Sequence, residues 1–311
     1  MGTVGHWDGS ADRDPLGQNR SGWAALKVMG TDQRRAVIDQ TLSSLSSVSL
    51  SHSTSANTEG HIGLAGQTIV TLKKPTTTFL KEKQLPWLRT YSDLRSDRLN
   101  EIIMQTGDIQ SFFALVGYMA PEATKWTLCL NQAIYRLCNL LEMPLKHGFD
   151  VARPIAMSSK VQPVIQTPPH GAWPSGHATE AFASATLLTR LFFDRPFDPA
   201  KEIADGNPLY RHAERIAMNR TIAGVHFPTD SMAGAVLGVT LAEGLIRLLD
   251  GASETPTRLY HGESYPGDFT LAALSAAFEG EGYVTTGTAP LDGTLVPAWL
   301  RDLWAEAKAE W

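Results

Sequence analysis

Apolar residues recur every three or four positions through most of the chain. In 91–141 the groups Leu99-Ile102-Ile103, Phe112-Phe113-Val116 and Trp126-Leu128-Leu130-Ile134-Leu137-Leu141 follow the period of amphipathic helices. Residues 178–193, about 209–223 and 229–249 continue the pattern, and Pro196, Pro199 and Pro208 punctuate the first of these connections. A Gly/Pro/Thr-rich stretch follows Leu249, and a last helix is expected over 296–311. Residues 32 to about 50 read as helix, while the serine-rich 43–55 and its polar continuation to Gln67 read as loop. A strand signal is confined to Thr68-Ile69-Val70-Thr71-Leu72. In residues 1 to about 30, isolated apolar residues such as Trp7, Leu16 and Trp23 sit among Gly, Asp and Asn, the composition of an extended arm lying on a body. The expected fold class is all-α: one helical-bundle domain, with an N-terminal arm and loops over 1–75, a helical core over 76–250 and an extension of the same domain over 251–311.

Composition narrows the class without changing that picture. The chain has 311 residues, 43% hydrophobic and 19% charged, an ordinary globular balance. A net charge of -5, with no basic run longer than Lys73-Lys74 or Arg34-Arg35, argues against a nucleic-acid partner. Residues 1–8 lack the basic and apolar regions of a secretory signal, so no export and a cytoplasmic location are expected. The most apolar window, 232–249, is interrupted by Glu243 and Arg247 and falls short of the ~20 residues of a bilayer span. It reads as a buried bundle helix, and no membrane partner is expected. Cys129 and Cys138 lie nine apart in a helical stretch, on opposite faces, which rules out a bridge within that helix and suggests reduced core thiols.

Three dispersed blocks carry chemistry. Lys146 and Arg153 are seven apart, and if the intervening turn is helical they share a face to within about 20°, before Pro154 stops the helix. Pro174-Ser175-Gly176-His177 precedes a helical run, which places Ser175 and Gly176 where free backbone N–H groups and the helix dipole attract anions. Asp230 follows His226 by four, and Pro228 suits the first turn of a helix. Asp230 can then accept the Nδ1 proton of His226 and leave Nε2 free, while Arg220 stands six residues before that histidine. Each block alone has an ordinary alternative: a solvated basic face, a serine N-cap, a surface His–Asp pair. His147 would point elsewhere on its helix and reads as structural.

Taken together, K-x6-R-P, P-S-G-H and R-x5-H-x3-D in this order resemble the signature of the type 2 phosphatidic acid phosphatase superfamily. That superfamily includes bacterial acid phosphatases, lipid phosphatases and vanadium-dependent haloperoxidases. The resemblance covers about residues 140–240 and implies a helical bundle in which the blocks converge on one oxyanion. It implies that Lys146, Arg153 and Arg220 neutralise the equatorial oxygens, helped by the Ser175 hydroxyl and the Gly176 N–H. His226 would attack phosphorus or ligate vanadium at one apex, oriented by Asp230, and His177 would be the acid/base at the other. Asn219 stands where members usually carry Ser.

Within the family, the expected absence of signal and spans, and the roughly 140 residues ahead of the first block, favour the haloperoxidase-like branch. His170, five before Ser175, occupies the place of a histidine found in vanadium bromoperoxidases. Met143 stands where haloperoxidases often have tryptophan, which speaks against a fungal-type chloroperoxidase. The expected activity is therefore oxidation of bromide or iodide by hydrogen peroxide at vanadate bound to His226, with an organic acceptor or homo-oligomer as further partners. A soluble acid phosphatase working through a phosphohistidine is the alternative, and a binding-only oxyanion protein is the reading from outside enzymology.

Overall fold

The computed structural model describes residues 10, 11, 20–52, 57–193, 195–280 and 282–311. The arm residues Trp7 and Leu16, and the residues 1–8 read for a leader, lie outside the described residues. Helices α1 (Gly22–Val28) and α2 (Thr31–Leu45) are followed by strands β1 (Ser46–His52), β2 (Asn57–Leu64) and β3 (Gln67–Lys73). Four helices, α3 (Thr77–Phe79), α4 (Leu85–Tyr91), α5 (Arg95–Met104) and α6 (Gln110–Phe113), lead to the long α7 (Lys125–Phe149). After α8 (Pro154–Met157) come α9 (Gly176–Phe192), α10 (Pro199–Ala204), α11 (Pro208–Ile222) and α12 (Pro228–Leu249). Strand β4 (Glu254–His261), α13 (Leu271–Phe278), β5 (Val284–Pro290) and α14 (Ala298–Lys308) complete the order. Pro199, Pro208 and Pro228 each sit in a first helical turn, where the missing N–H costs no hydrogen bond.

The all-α expectation is wrong: the protein is a mixed α/β structure with a five-stranded sheet in the order β1-β2-β3-β4-β5. Neighbouring strands are antiparallel except β3 and β4, which are parallel. The helix expected over 32 to about 50 ends at Leu45, and the serine-rich stretch read as loop contributes β1, paired antiparallel with β2. In β1, serines alternate with Val48 and Leu50, and those two pack against the core. Serine supplies the polar half of a period-2 pattern while matching the composition of a loop, so the alternation is easily overlooked. Strand β4 is hidden differently, because its buried positions include Thr255 and Arg258.

Arg258 explains how a cation enters a sheet interior. Its NH1 lies 2.9 Å from Glu243 Oε2 and 3.1 Å from Thr240 Oγ1, both on α12. Glu243, an interruption of the apolar run in the sequence, is the anchor between sheet and central helix. Burying the carboxylate is tolerable because Arg247 also reaches it at 3.0 Å. Among the described residues α12 alone is long and apolar enough to cross a bilayer, and 89% of its apolar window is buried inside the protein. It is the core helix expected of 229–249.

Glycines set the closeness of the central helices. A Cβ on Gly234 would lie 2.5 Å from the Ser175 carbonyl oxygen, and one on Gly238 only 2.2 Å from that of Thr179. The backbones of α9 and α12 therefore touch, which brings the start of α9 beside the start of α12. A hydrogen bond from Ser175 N–H to the Asp230 carbonyl, 2.9 Å, ties the two ends together. The sheet packs on α7 side chains: a Cβ on Gly60 would meet Leu145 at 2.5 Å and Phe149 at 2.9 Å. Cys129 and the buried Cys138 are both free thiols.

Gly238→Ala should lower stability by about 1–3 kcal/mol, because backbone oxygen, not a movable side chain, blocks the new methyl. Gly107→Ala, with no atom within 4 Å of its Cβ, should change stability by less than about 0.5 kcal/mol. Urea unfolding midpoints of the two variants check this, and equal midpoints would contradict the close-contact account.

Candidate active site

Each block reaches the site through a helix end. Lys146 stands in the last turn of α7, which stops at Phe149 as Asp150 turns the chain through a left-handed conformation (φ 44°, ψ 49°). Pro154 opens α8 instead of ending α7, so Lys146 and Arg153 do not share a helix face as the spacing suggested. The turn returns Arg153 to the same cavity. Ser175 caps α9, its side chain accepting from Ala178 N–H, and leaves Gly176 and His177 in the first turn. Gly224, at φ 85°, ends the segment after α11 where a Cβ would meet Arg95, and Pro228 then starts α12, so His226 is held between two helix ends.

A cavity of about 490 Å³ gathers these residues. Lys146, Arg153, His170, Gly176, His177 and His226 all line it. Ser175 and Arg220 are buried but are not part of its wall, and Asp230 lies behind His226, also buried. His147 is exposed on α7.

Partner chemistry fixes the histidine protons. Arg153 NH1 lies 2.9 Å from His226 Nε2, and a guanidinium can only donate, so Nε2 carries the lone pair. The proton therefore sits on Nδ1, 2.9 Å from Asp230 Oδ2, an oxygen that also accepts from Phe227 N–H at 2.9 Å. Burial and then the Arg153 charge push His226 well below its usual pKa and keep the imidazole neutral. For His177 the same logic applies: Nε2 lies 2.8 Å from the Gln105 carbonyl, which only accepts, so Nε2 is protonated and Nδ1 is its open position. Burial, followed by the Arg220 charge, brings His177 down to about 4.

The cations are held by carbonyl oxygens. Lys146 Nζ donates to the Pro174 carbonyl and lies 3.5 Å from that of Ala172. Arg153 donates to the carbonyls of Val225 (2.9 Å) and His170 (3.1 Å), and its NH2 lies 3.3 Å from His170 Nδ1. Arg220 NH2 donates to Ile102 O at 3.2 Å and Gln105 Oε1 at 2.9 Å, while its buried Nε and NH1 have no partner. Two unanswered guanidinium donors are what an oxyanion would satisfy. Burial lowers Lys146 to about 8, opposed by Glu142, and lowers Arg220 to about 10. Asp230 is pushed up to about 7 by burial, against the pull of the Phe227 N–H and Arg153.

Three residues of the site were not anticipated. Glu142 is buried one helical turn before Lys146, and its Oε1 would sit 2.5 Å from a Cβ on Gly176, so only glycine fits there. Glu180 lines the same cavity one turn after His177. Burial raises Glu142 to about 7, with Lys146 opposing, and burial plus the Glu142 charge raises Glu180 to about 8. Helical spacing from Lys146 and His177 could have found both. Gln105 joins His177, Arg220 and Asn219, whose Nδ2 lies 3.0 Å from Gln105 Oε1, but no local pattern announces it.

Such an array can bind a tetrahedral oxyanion, present it with a neutral imidazole nucleophile or ligand, and supply a second histidine for proton transfer. No curated protein matches the chain. Among solved structures it is similar to a transmembrane PAP2 type phosphatidylglycerolphosphate phosphatase from Bacillus subtilis, with 21% identity and a TM-score of 0.32 over 56% of this chain and 81% of that one. It is also similar to a bacterial vanadium-dependent iodoperoxidase, at 18% identity and a TM-score of 0.28 over 46% of this chain and 47% of the other. Residues 126–253, which contain all three blocks, match the family model of the PAP2 superfamily. The likeness to the PAP2 superfamily rests on that segment, which is less than half of the chain.

Proposed function

We propose that the protein is a phosphomonoesterase that works through a phosphohistidine on His226. The observation that favours hydrolysis over halide oxidation is the pair of carboxylates, Glu142 and Glu180, in the cavity wall. Ionised, they repel a halide, whereas a phosphoester can place a neutral or cationic leaving group beside them. In this reading Lys146, Arg153 and the Gly176 N–H neutralise the phosphoryl oxygens, the Arg220 charge supports them from behind the cavity wall, and Ser175 holds the helix end that carries Gly176. The Nε2 lone pair of His226 attacks phosphorus as the P–O ester bond breaks, and the imidazolium that forms is stabilised by Asp230. Burial and then the nearby cations hold His177 neutral, and a dianion in the site offsets the cations, so its Nδ1 can carry the proton that the leaving alkoxide takes. Water then attacks the phosphohistidine with His177 as base, releasing phosphate and restoring Nε2.

A second reading, the haloperoxidase expected from the sequence, draws support from His170 beside Arg153. The same donors fit vanadate, which is also a tetrahedral oxyanion: Lys146, Arg153, Gly176 and Arg220 would hold its oxygens and His226 the vanadium. When bound, vanadate would supply peroxide activation for bromide or iodide oxidation.

Protein prepared without phosphate, assayed on p-nitrophenyl phosphate and for bromination by peroxide, distinguishes the two. Hydrolysis blocked by orthovanadate is expected, with no bromination. Vanadate-dependent bromination without hydrolysis would overturn the proposal. His177→Ala should lower kcat for hydrolysis by about 10²–10⁴-fold, and His226→Ala should abolish labelling by a radioactive phosphoester. Retained labelling would remove His226 from the nucleophile's place.

Sulfate, a tetrahedral dianion of fixed charge, should inhibit less well as pH rises from 6 to 9. Lys146, lowered to about 8, loses positive charge over this range. Glu142 and Glu180, at about 7 and about 8, gain negative charge, so all three changes weaken anion binding. A sulfate inhibition constant that is flat, or falls with pH, would contradict this electrostatic description.

A further inference from the structure

The cavity extends beyond the oxyanion cradle. Helix α7 lines it with Gln132, Tyr135, Asn139, Glu142 and Lys146, spaced by three or four residues along one face. This polar stripe spans about 21 Å of axis at 1.5 Å per residue, longer than a bare phosphate needs. The cation-binding end and the carboxylates are adjacent: Glu142 lies one turn from Lys146, roughly 6 Å along the axis.

Two observations at Glu142 point to a missing partner. Its Oε2 is buried and lacks a hydrogen-bond partner, because the neighbouring Thr179 hydroxyl donates its proton to the Ser175 carbonyl at 2.9 Å, although the Glu142 side chain lines the cavity. Its other carboxylate oxygen is packed against Gly176, at the mouth of the anion-binding helix end. A carboxylate there opposes an oxyanion unless a proton or a cation stands between them. Glu180, on α9, adds a second carboxyl, close enough that the Glu142 charge disfavours its ionisation. Positive charge facing the pair comes from Lys146, with Arg153 further off. Lys146 already donates to the Pro174 carbonyl, so it does not satisfy the free oxygen.

We infer that Glu142 and Glu180 bind an ammonium group, and that the substrate is a short aminoalkyl phosphate whose phosphoryl group occupies the Lys146–Arg153 cradle. This rests on the phosphomonoesterase reading. An ammonium donates to the orphaned Oε2 and cancels the repulsion between carboxylates and phosphate. The hydrolysis then releases an amino alcohol, its oxygen receiving the proton from His177 and its amine leaving the carboxylates. Fewer than three acidic, His or Cys ligands gather at any one point among the described residues, which favours an organic cation over a metal ion.

The test compares 2-aminoethyl phosphate with propyl phosphate, which has the same number of heavy atoms but no ammonium charge, using the full chain. The wild type should turn over the amine ester with about tenfold higher kcat/KM, an effect of the size of one desolvated charge pair. Glu180→Gln and Glu142→Gln should each reduce that preference to about twofold. Equal turnover of the two esters by the wild type would overturn the inference, and requires no variant to fold. A preference that survives both substitutions, or that disappears on adding a chelator, would also overturn it. If inorganic phosphate fails to inhibit and neither ester is hydrolysed, the phosphomonoesterase reading itself fails, a result distinct from hydrolysis without preference.

Discussion

Three buried cations in one place are the demand around which this molecule is organised. Lys146 and Arg220 are 1% exposed and Arg153 is 6% exposed, and a charge withdrawn from water is costly unless its donors are met. Carbonyl oxygens meet most of them, and those oxygens come from segments that cannot form regular hydrogen bonds: the loop before α9, the turn before α12 and the end of α5. The irregular backbone between the helices is thus part of the electrostatic design. Its carbonyls need acceptor work and the cations need acceptors. Arg220 retains two unpaired donors, and the charge balance is completed by whatever anion enters.

The close packing of α9 and α12 follows from the same demand. His226 and His177 lie at the starts of these two helices, and each loses positive charge to burial and to the cations around it. A helix pair held apart by ordinary side chains would separate the two histidines and admit water, weakening every interaction in the cluster. Gly234 and Gly238 remove that spacer. The capping bond from Phe227 N–H to Asp230 does a second job, fixing the carboxylate that sets the His226 tautomer.

What the sequence revealed and concealed follows from range. Lys146, Arg153, Ser175, Gly176, His177, Arg220, His226 and Asp230 could be named as candidates through the resemblance that the order of their blocks carries, since each block alone had an ordinary alternative. The bend between Lys146 and Arg153 was not legible, since Asp150 adopts a left-handed turn that an aspartate does not advertise. The sheet was missed because its pairing is long-range and its buried face is partly polar. Arg258 is acceptable in β4 only because Glu243 lies on α12, fifteen residues away, and neither residue alone implies the other. Gln105 illustrates the extreme, joining His177, Asn219 and Arg220 from more than 70 residues away.

Phosphorus and vanadium make the same demands on the cradle, so the distinction between them lies outside it. His170, which tilted the sequence reading toward vanadium, spends its carbonyl and one ring nitrogen on Arg153. That makes it a support for the cradle under either chemistry. Glu142 and Glu180 are different, because their effect depends on the second reactant. Halide oxidation brings another anion to a site already holding an oxyanion, and two carboxyls raise the cost of that approach. Ester hydrolysis brings a leaving group whose charge is free to complement them. In the proposed reading, the residues that would grip the oxyanion serve either chemistry, and the acidic wall beside them is what would select the partner it arrives with.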